Sequence, residues 1–209
     1  MREWLVFDVM GVIFTVGDDT NELLVPYVQK FAPSLTHEEI NQAYLDASLG
    51  KMSSCGFWKK LGLGENYPQI ERDYLESQLT LDADFPAVAQ KLQQQYSLAL
   101  LSNDISEWSA YLREKYDLNQ YFEEIVISGD VGLRKPDKAI YELLLRRLRC
   151  RPEHSVFIDD RQKNLIPAMR AGMKTIQFKR GCDGSEMCGS FEVKSFKQLP
   201  GLVAHLFAD

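Results

Sequence analysis

The sequence predicts an α/β fold in which helices cover both faces of a parallel β-sheet. Short apolar runs alternate with amphipathic stretches, as expected for a sheet of this kind. The predicted strands are, in chain order, residues 4–8, 97–102, 124–128, 155–159 and 174–178. The alternation is interrupted after the first strand by residues 16–84, which contain helical patterns and no convincing strand. We therefore predict a Rossmann-like core at 1–15 and 85–209, with a small helical cap at 16–84.

The helices follow from apolar spacing and from their ends. Residues 137–150 place apolar side chains on one helical face, and these are Ile140, Leu143, Leu144 and Leu148. Residues 164–173 are predicted to form a helix that ends near Gly172, since glycine suits a helix C-terminus. Within the insertion, helical patterns run from 22 to 31, from 38 to 49 and from 67 to 79.

Composition limits the possible partners and compartments. The 209 residues are 45% hydrophobic, which is enough for a substantial core, and 24 basic and 30 acidic residues give a net charge of -6. This charge offers no broad positive field for nucleic acid or an anionic membrane. No leader or membrane-spanning run is apparent, and the four cysteines lack zinc-type spacing, so we expect a cytoplasmic, reduced protein. Cys182 and Cys188 are predicted to lie in a flexible loop as free thiols. The sequence does not indicate the oligomeric state.

Polar residues follow three of the predicted strands. Asp8 ends the first, Ser102 and Asn103 end the second, and Asp159 and Asp160 end the fourth. The carboxyl ends of parallel strands meet at one edge of the sheet, where ligands bind in open α/β folds. We therefore expect these side chains to converge on one pocket.

The three carboxylates of this group would repel one another. The usual remedy is a bound cation or a raised pKa, and ligands that are all oxygen favour magnesium. A single basic residue, Lys135, is expected near the same edge because it precedes Pro136 and the start of a predicted helix.

Four segments, in this order and spacing, resemble the motifs of the haloacid dehalogenase (HAD) superfamily. They are "FDVMGVIF" (7–14), "LLSND" (100–104), "GLRKPD" (132–137) and "FIDDRQKNL" (157–165). The helical insertion resembles the C1-type cap of the phosphatase-like branch. Within it, "GKMSSCGFWKKLG" (50–62) is similar to the branch that contains sugar-phosphate phosphatases and the phosphatase domain of soluble epoxide hydrolase.

The resemblance implies a nucleophile and a metal site. Asp8 would attack phosphorus and form an aspartyl-phosphate that water then hydrolyses. Magnesium would be held by Asp8, the backbone carbonyl of Met10 and Asp160, while Asp159 would order the water around the metal.

The resemblance also implies a phosphate site. Ser102 and the backbone of Asn103 would bond the phosphoryl oxygens, and Lys135 would offset the negative charge. Gly11 would let the backbone approach the ligand closely.

Position 10 departs from the family pattern. Phosphatases of the family usually carry a second aspartate there, which protonates the leaving oxygen and later activates water. The thioether of Met10 can do neither, so the sequence predicts slow turnover unless another group compensates. Four residues are conceivable substitutes, without specific support from the sequence: Asp18, Asp19, Lys51 and Lys59.

Three functions remain open. The leading one is a magnesium-dependent phosphatase of a small phosphorylated metabolite, with impaired turnover. The second is a 2-haloacid dehalogenase, although the Asp159–Asp160 pair and the absence of tyrosine at position 10 disfavour it. The third is a non-catalytic protein that senses phosphate.

Two structural alternatives also remain open. Asp159 and Asp160 could cap the helix that begins near Arg161. Phe57 and Trp58 could contact substrate, but an aromatic pair in a helical segment more often belongs to the interior of the cap.

Overall fold

The computed structural model describes residues 2–180 and 191–208. At its centre is a six-stranded sheet, in the order β3-β2-β1-β4-β5-β6, in which every neighbouring pair is parallel. The strands are β1 (Trp4–Phe7), β2 (Ser97–Ser102), β3 (Glu124–Ile127), β4 (Ser155–Asp159), β5 (Lys174–Phe178) and β6 (Phe191–Val193). The predicted α/β fold and its five strands are therefore confirmed.

The edge strand β6 was not predicted from the sequence. It has three residues and pairs with β5 alone. A run this short carries no readable alternation of apolar and polar residues. The cysteines at 182 and 188 lie outside the described residues.

Helices surround the sheet and make up the insertion. In chain order, those of the described residues are α1 (Val25–Gln29), α2 (His37–Ala47), α3 (Ser54–Lys60), α4 (Gln69–Ser77), α5 (Phe85–Leu92), α6 (Ser106–Lys115), α7 (Ser128–Val131), α8 (Lys138–Leu148), α9 (Gln162–Arg170) and α10 (Leu199–Leu206). A π-helical turn, Thr20–Leu24, leads into α1. Within the described residues, none of these helices has the length and apolar character needed to cross a membrane.

Apolar residues on both sides of the sheet form its two core layers. In β1, Val6 packs in the layer that also contains Ile140 of α8 and Leu165 of α9. Leu5 and Phe7 pack in the opposite layer, which includes residues of α5, α6 and α10. Because side chains alternate along a strand, a continuous apolar run fills both layers.

The predicted helix ends and faces agree with these layers. Ile140, Leu144 and Leu148 are buried, and Leu143 is half-buried against the same layer. After α9, Gly172 has φ +91°, a conformation that glycine adopts without strain.

The order of the strands locates the ligand-binding edge. Strand β1 lies between β2 and β4. Strands β2 and β3 extend the sheet on one side of β1, and strands β4 to β6 extend it on the other. The carboxyl ends of strands at such a point of reversal border a crevice. The segments that follow β1, β2 and β4 therefore meet around one opening.

The helical insertion leaves and rejoins the sheet through two adjacent segments. Phe14 forms an antiparallel bridge with Leu81. The Thr15 amide donates to the Thr80 carbonyl at 3.0 Å, and the Asp82 amide donates to the Ile13 carbonyl at 2.9 Å. The two connections are thus bonded to each other.

An aromatic cluster joins the insertion to the core. Trp108 of α6 contacts Tyr44, Phe57, Trp58 and Tyr74, with ring centroids 5.3–6.1 Å away. Phe57 and Trp58 are fully buried in this cluster, so both side chains contribute to packing and neither reaches the crevice.

Candidate active site

Four of the predicted polar residues line one pocket at the carboxyl edge of the sheet, and Asp160 lines a neighbouring one. The lining of the first pocket includes Asp8, Met10, Ser102, Asn103 and Lys135. Asp8 follows β1 directly, and Ser102 is the last residue of β2. The parallel registers of β1 with β2 and β4 bring these strand ends side by side. The sequence pattern therefore identified groups that the fold does bring together.

Lys135 lies at the centre of the site and is almost completely buried. Its Nζ is 2.6 Å from Asp8 Oδ1 and 2.9 Å from Asp159 Oδ2, and it donates to the Leu101 carbonyl at 3.0 Å. Burial alone would lower the pKa of Lys135, but the attraction of Asp159 and Asp8 outweighs it and the pKa is raised. The residue is therefore a fixed cation between two carboxylates.

The Asn103 side chain holds the backbone of Lys135. Asn103 Oδ1 accepts from the Lys135 amide at 2.9 Å, and Asn103 Nδ2 donates to the Lys135 carbonyl at 2.9 Å. Sequence reasoning gave Asn103 only a backbone role toward phosphate. The structure adds a positioning role for its side chain.

Three carboxylates form a compact acidic cluster. One oxygen from each of Asp8, Asp159 and Asp160 lies within 4.8 Å of the others. Burial, followed by the charge of Asp159, raises the pKa of Asp8, although Lys135 partly opposes this effect. The same two causes raise the pKa of Asp160 to about 7. A cation bound here would favour the charged forms.

The hydrogen bonds distinguish the two acids that follow β4. Asp159 accepts from the Arg161 amide, from Asn164 Nδ2 and from Lys135. By contrast, Asp160 Oδ1 is buried and has no hydrogen-bond partner among the described residues. A buried, unsatisfied carboxylate oxygen fits an oxygen-seeking cation such as magnesium.

The alternative of helix capping does not account for Asp160. Helix α9 begins at Gln162 with Arg161 as its N-cap, and no side chain caps that end. Asp159 does accept a local backbone hydrogen bond from Arg161. Asp160 has no comparable structural duty.

Two glycines border Asp160. A Cβ atom at Gly11 or at Gly17 would overlap the Asp160 carboxylate, and Gly11 also has φ +79°. Gly11 lies against Asp160 and is not among the residues that line the pocket of Asp8. Its lack of a side chain therefore leaves room for an acidic residue of the site, a reason that the sequence did not supply.

The helical insertion and two arginines supply further pocket residues that sequence reasoning did not place. They are Asp19, Thr20, Tyr44, Arg134 and Arg161. The hydroxyl of Tyr44 donates to the Asn103 carbonyl at 3.2 Å, and Arg134 bonds the Ser48 hydroxyl. Arg134 and Arg161 lie within the motif segments 132–137 and 157–165 but had no assigned role. Asp19, Thr20 and Tyr44 carry no local motif, because they reach the pocket only when the insertion packs against the core.

The conceivable substitutes for an acid at position 10 lie in different places. Lys51 is exposed and pairs with Asp46 at 3.0 Å, and Lys59 is exposed on α3. Asp18 has a side chain that is 45% exposed, whereas Asp19 is 8% exposed and lines the pocket. Burial raises the pKa of Asp19 to about 6, although the charge of Arg161 opposes the rise.

Comparison with known proteins agrees with this arrangement. The model of a family described as haloacid dehalogenase-like hydrolase matches residues 5–178. A glyceraldehyde 3-phosphate phosphatase from Methanothermobacter thermautotrophicus is 36% identical over 84 residues, which cover 39% of this chain and 36% of that protein. The matches to three such phosphatases span 32–42% of their lengths.

Solved structures share the fold at low sequence identity. A HAD family enzyme from Bacteroides thetaiotaomicron, in complex with magnesium and inorganic phosphate, has a TM-score of 0.74 and 21% identity; the match covers 88% of this chain and 98% of that one. A 2-haloacid dehalogenase from Pseudomonas syringae has a TM-score of 0.71 and 17% identity, with 98% and 99% covered. Since both kinds of enzyme share the fold, the reaction must be argued from the site.

Proposed function

This chain belongs to the haloacid dehalogenase-like hydrolase family, and we propose that it is a magnesium-dependent phosphatase of a small phosphorylated metabolite. One arrangement carries the proposal: the buried Lys135 ammonium between Asp8 and Asp159, beside an Asp160 oxygen without a protein partner. The carboxylates offer oxygen ligands to a cation, and the ammonium can balance the charge of a phosphoryl group.

Asp8 is the proposed nucleophile. Its carboxylate lies at the end of β1, faces the pocket and has Oδ1 2.6 Å from the Lys135 ammonium. Attack on phosphorus would form an aspartyl-phosphate, which water hydrolyses in a second step. Ser102 and the Asn103 backbone would bond the phosphoryl oxygens, and Lys135 would stabilise the charge that develops on them.

The residues present fit a magnesium ion. Asp8, Asp160 and the backbone carbonyl of Met10 would hold it, and Asp159 would order its water shell. When bound, magnesium would neutralise phosphoryl charge and orient the phosphate toward Asp8. The fully engaged hydrogen bonds of Asp159 suit a positioning role better than direct coordination.

The substrate class is inferred from the relatives and from the pocket. The matched relatives are named glyceraldehyde 3-phosphate phosphatases, which supports a small phosphorylated molecule. Tyr44 and Arg134 approach the opening from the insertion and from the loop before α8. We assign residues 16–84 as a cap whose inner surface selects the organic part of the substrate.

Met10 lines the pocket but has no proton to exchange. Positioned acid–base catalysis contributes roughly 10²- to 10⁴-fold in rate. A chain that depended on position 10 alone would therefore hydrolyse alkyl phosphates slowly, as the sequence predicts. Aryl phosphates would be less affected, because their leaving groups depart without a proton.

The test is phosphate release from a panel of small phosphorylated metabolites, with magnesium and with a chelator. We expect magnesium-dependent release and a loss of at least about 10³-fold in Asp8→Asn. The exposed Asp18→Asn variant serves as the matched control.

Two other results would replace the proposal. Halide release from a 2-haloacid without magnesium would indicate a dehalogenase. Tight binding of beryllium fluoride with magnesium, without turnover of any phosphate ester, would indicate a phosphate sensor.

A further inference from the structure

Asp19 is a buried carboxyl group in the candidate active site. It is 8% exposed and lines the same pocket as Asp8 and Met10. It precedes the π-helical turn Thr20–Leu24 in helical conformation, and its side chain makes no capping hydrogen bond. Within the described residues, its ion-pair contact is a 4.0 Å approach to Arg161.

The surroundings of Asp19 disfavour a purely structural carboxylate. Asp18 and the buried Asp104 add negative charge near it, while Arg161 and Arg134 supply positive charge. Burial outweighs these attractions, so the pKa is raised to about 6. Ionising a buried acid whose pKa is raised costs stability, and such groups are concentrated at functional sites.

The pocket needs a group of this kind because Met10 cannot exchange a proton. Of the four conceivable substitutes, Asp18, Lys51 and Lys59 do not line the pocket. Asp19 alone of the four lines it, together with Asp8 and Met10. An acid is therefore available in the pocket in which a phosphate attacked by Asp8 would be held.

We propose that Asp19 is the general acid and base of the phosphatase reaction, in place of an acidic residue at position 10. The inference rests on the proposed phosphatase function and concerns a residue that the family motifs do not include.

Atoms and protons balance over the two steps. As Asp8 attacks phosphorus, the bond from phosphorus to the leaving oxygen breaks, and that oxygen takes the proton of Asp19. Asp19, now a carboxylate, then removes a proton from water as the water oxygen attacks phosphorus. The bond to Asp8 breaks, its electron pair returns to the Asp8 carboxylate, and phosphate leaves with Asp19 protonated again.

The test compares Asp19→Asn with wild type on an alkyl and an aryl phosphate, with magnesium present. With glycerol 3-phosphate, kcat should fall by roughly 10²- to 10⁴-fold. With p-nitrophenyl phosphate, the first step should stay within about tenfold of wild type because nitrophenolate needs no proton. The variant should then release nitrophenol in a burst equal to the enzyme, since water is no longer activated.

Two further variants sharpen the test. Asp18→Asn removes the same charge from the exposed neighbour and should keep the alkyl-to-aryl ratio of wild type. Met10→Asp in the Asp19→Asn background should restore part of the alkyl phosphatase activity, which a loss of folding would not allow.

The results separate this inference from the proposed function. Equal losses in the rate of the first step on both substrates in Asp19→Asn, or no burst, would overturn the role of Asp19 while a magnesium-dependent wild type keeps the phosphatase. A wild type that hydrolyses neither ester, or an Asp8→Asn variant with full activity, would overturn both.

Discussion

At the scale of single residues, the site combines one buried cation with several buried acids. Lys135 is held by the backbone clamp of Asn103 and by ion pairs to Asp8 and Asp159. The remaining acid, Asp160, has an oxygen without a protein partner. Burial and the charge of Asp159 raise the pKa values of Asp8 and Asp160, so ionising these two acids is unfavourable when no cation is bound.

Asp160→Ala tests the metal site. It should abolish magnesium binding measured by calorimetry, because it removes the carboxylate whose oxygen lacks a protein partner. It should also raise the melting temperature of the metal-free protein at neutral pH, since one of three repelling acids is gone. Asp18→Ala is the control, and unchanged magnesium affinity in Asp160→Ala would contradict the assignment.

Asp19 gives a prediction for pH. Its pKa is raised from 3.8 to about 6 in the folded protein. A carboxyl with a raised pKa stabilises the fold below its unfolded pKa, and this contribution is lost as the pH rises through the folded value. The free energy of unfolding of Asp19→Asn should therefore equal that of wild type near pH 4 and exceed it by up to about 3 kcal/mol at pH 7.5.

This prediction is tested by denaturant unfolding of both proteins at several pH values, with a chelator present to keep them metal-free. The difference between variant and wild type should grow steadily from pH 4 to pH 7. A difference that does not depend on pH would mean that the pKa of Asp19 is the same in the folded and unfolded protein, and a difference of opposite sign would mean that Asp19 is charged and well paired in the fold.

At the scale of elements, Glu71 joins the helical insertion to the core. Its Oε2 accepts from Trp58 Nε1 at 2.9 Å and from Trp108 Nε1 at 2.7 Å, and its Oε1 accepts from the Ser54 hydroxyl at 3.2 Å. Helices α3, α4 and α6 are therefore linked by a single carboxylate within the aromatic cluster.

Glu71→Leu should destabilise the protein because two buried indole N–H groups lose their acceptor. Each such loss costs about 1–3 kcal/mol, so about 2–5 kcal/mol is expected from denaturant unfolding. Glu65→Gln, at an exposed position of the insertion, should change stability by less than about 0.5 kcal/mol. Equal stability of the two variants would show that the indole groups find other partners.

The strands with clear apolar patterns could be predicted from the sequence, and the short strand β6 could not. Strands β1 to β4 were predictable because each contributes apolar residues to both core layers, and β5 because Ile176 and Phe178 alternate with polar residues, whereas β6 has three residues at the sheet edge. The convergence of Asp8, Ser102 and Asp159 was predictable because parallel strand ends share an edge. The placement of Asp19 and Tyr44 was not, since it depends on how the insertion packs through Trp108.

At the scale of the whole molecule, the helical insertion closes over the pocket. The hydroxyl of Tyr44 bonds the Asn103 carbonyl at 3.2 Å, and Arg134 bonds Ser48 across the same opening. The two connections at Phe14 and Leu81 are paired with each other, so they can act as one hinge. If the insertion is the cap proposed above, substrate access would require these contacts to break and re-form, as in many enzymes with lids.

This motion predicts a change in amide hydrogen exchange. Residues 20–80 should exchange more slowly when magnesium and beryllium fluoride are bound together, because the ligand stabilises the closed arrangement. Helix α10, which lies outside residues 20–80 and does not line the pocket, serves as the internal control. Identical exchange of residues 20–80 in both states would show that the insertion is a fixed part of the core.

The most direct test of the central claim is rapid acid quench during turnover of a phosphate ester, followed by mass spectrometry of the peptides. With magnesium, the peptide that contains Asp8 should carry one phosphoryl group, and the group should be absent with a chelator and in Asp8→Asn. Turnover of the ester without this label, or with the label on another residue, would contradict the assignment of Asp8 as the nucleophile.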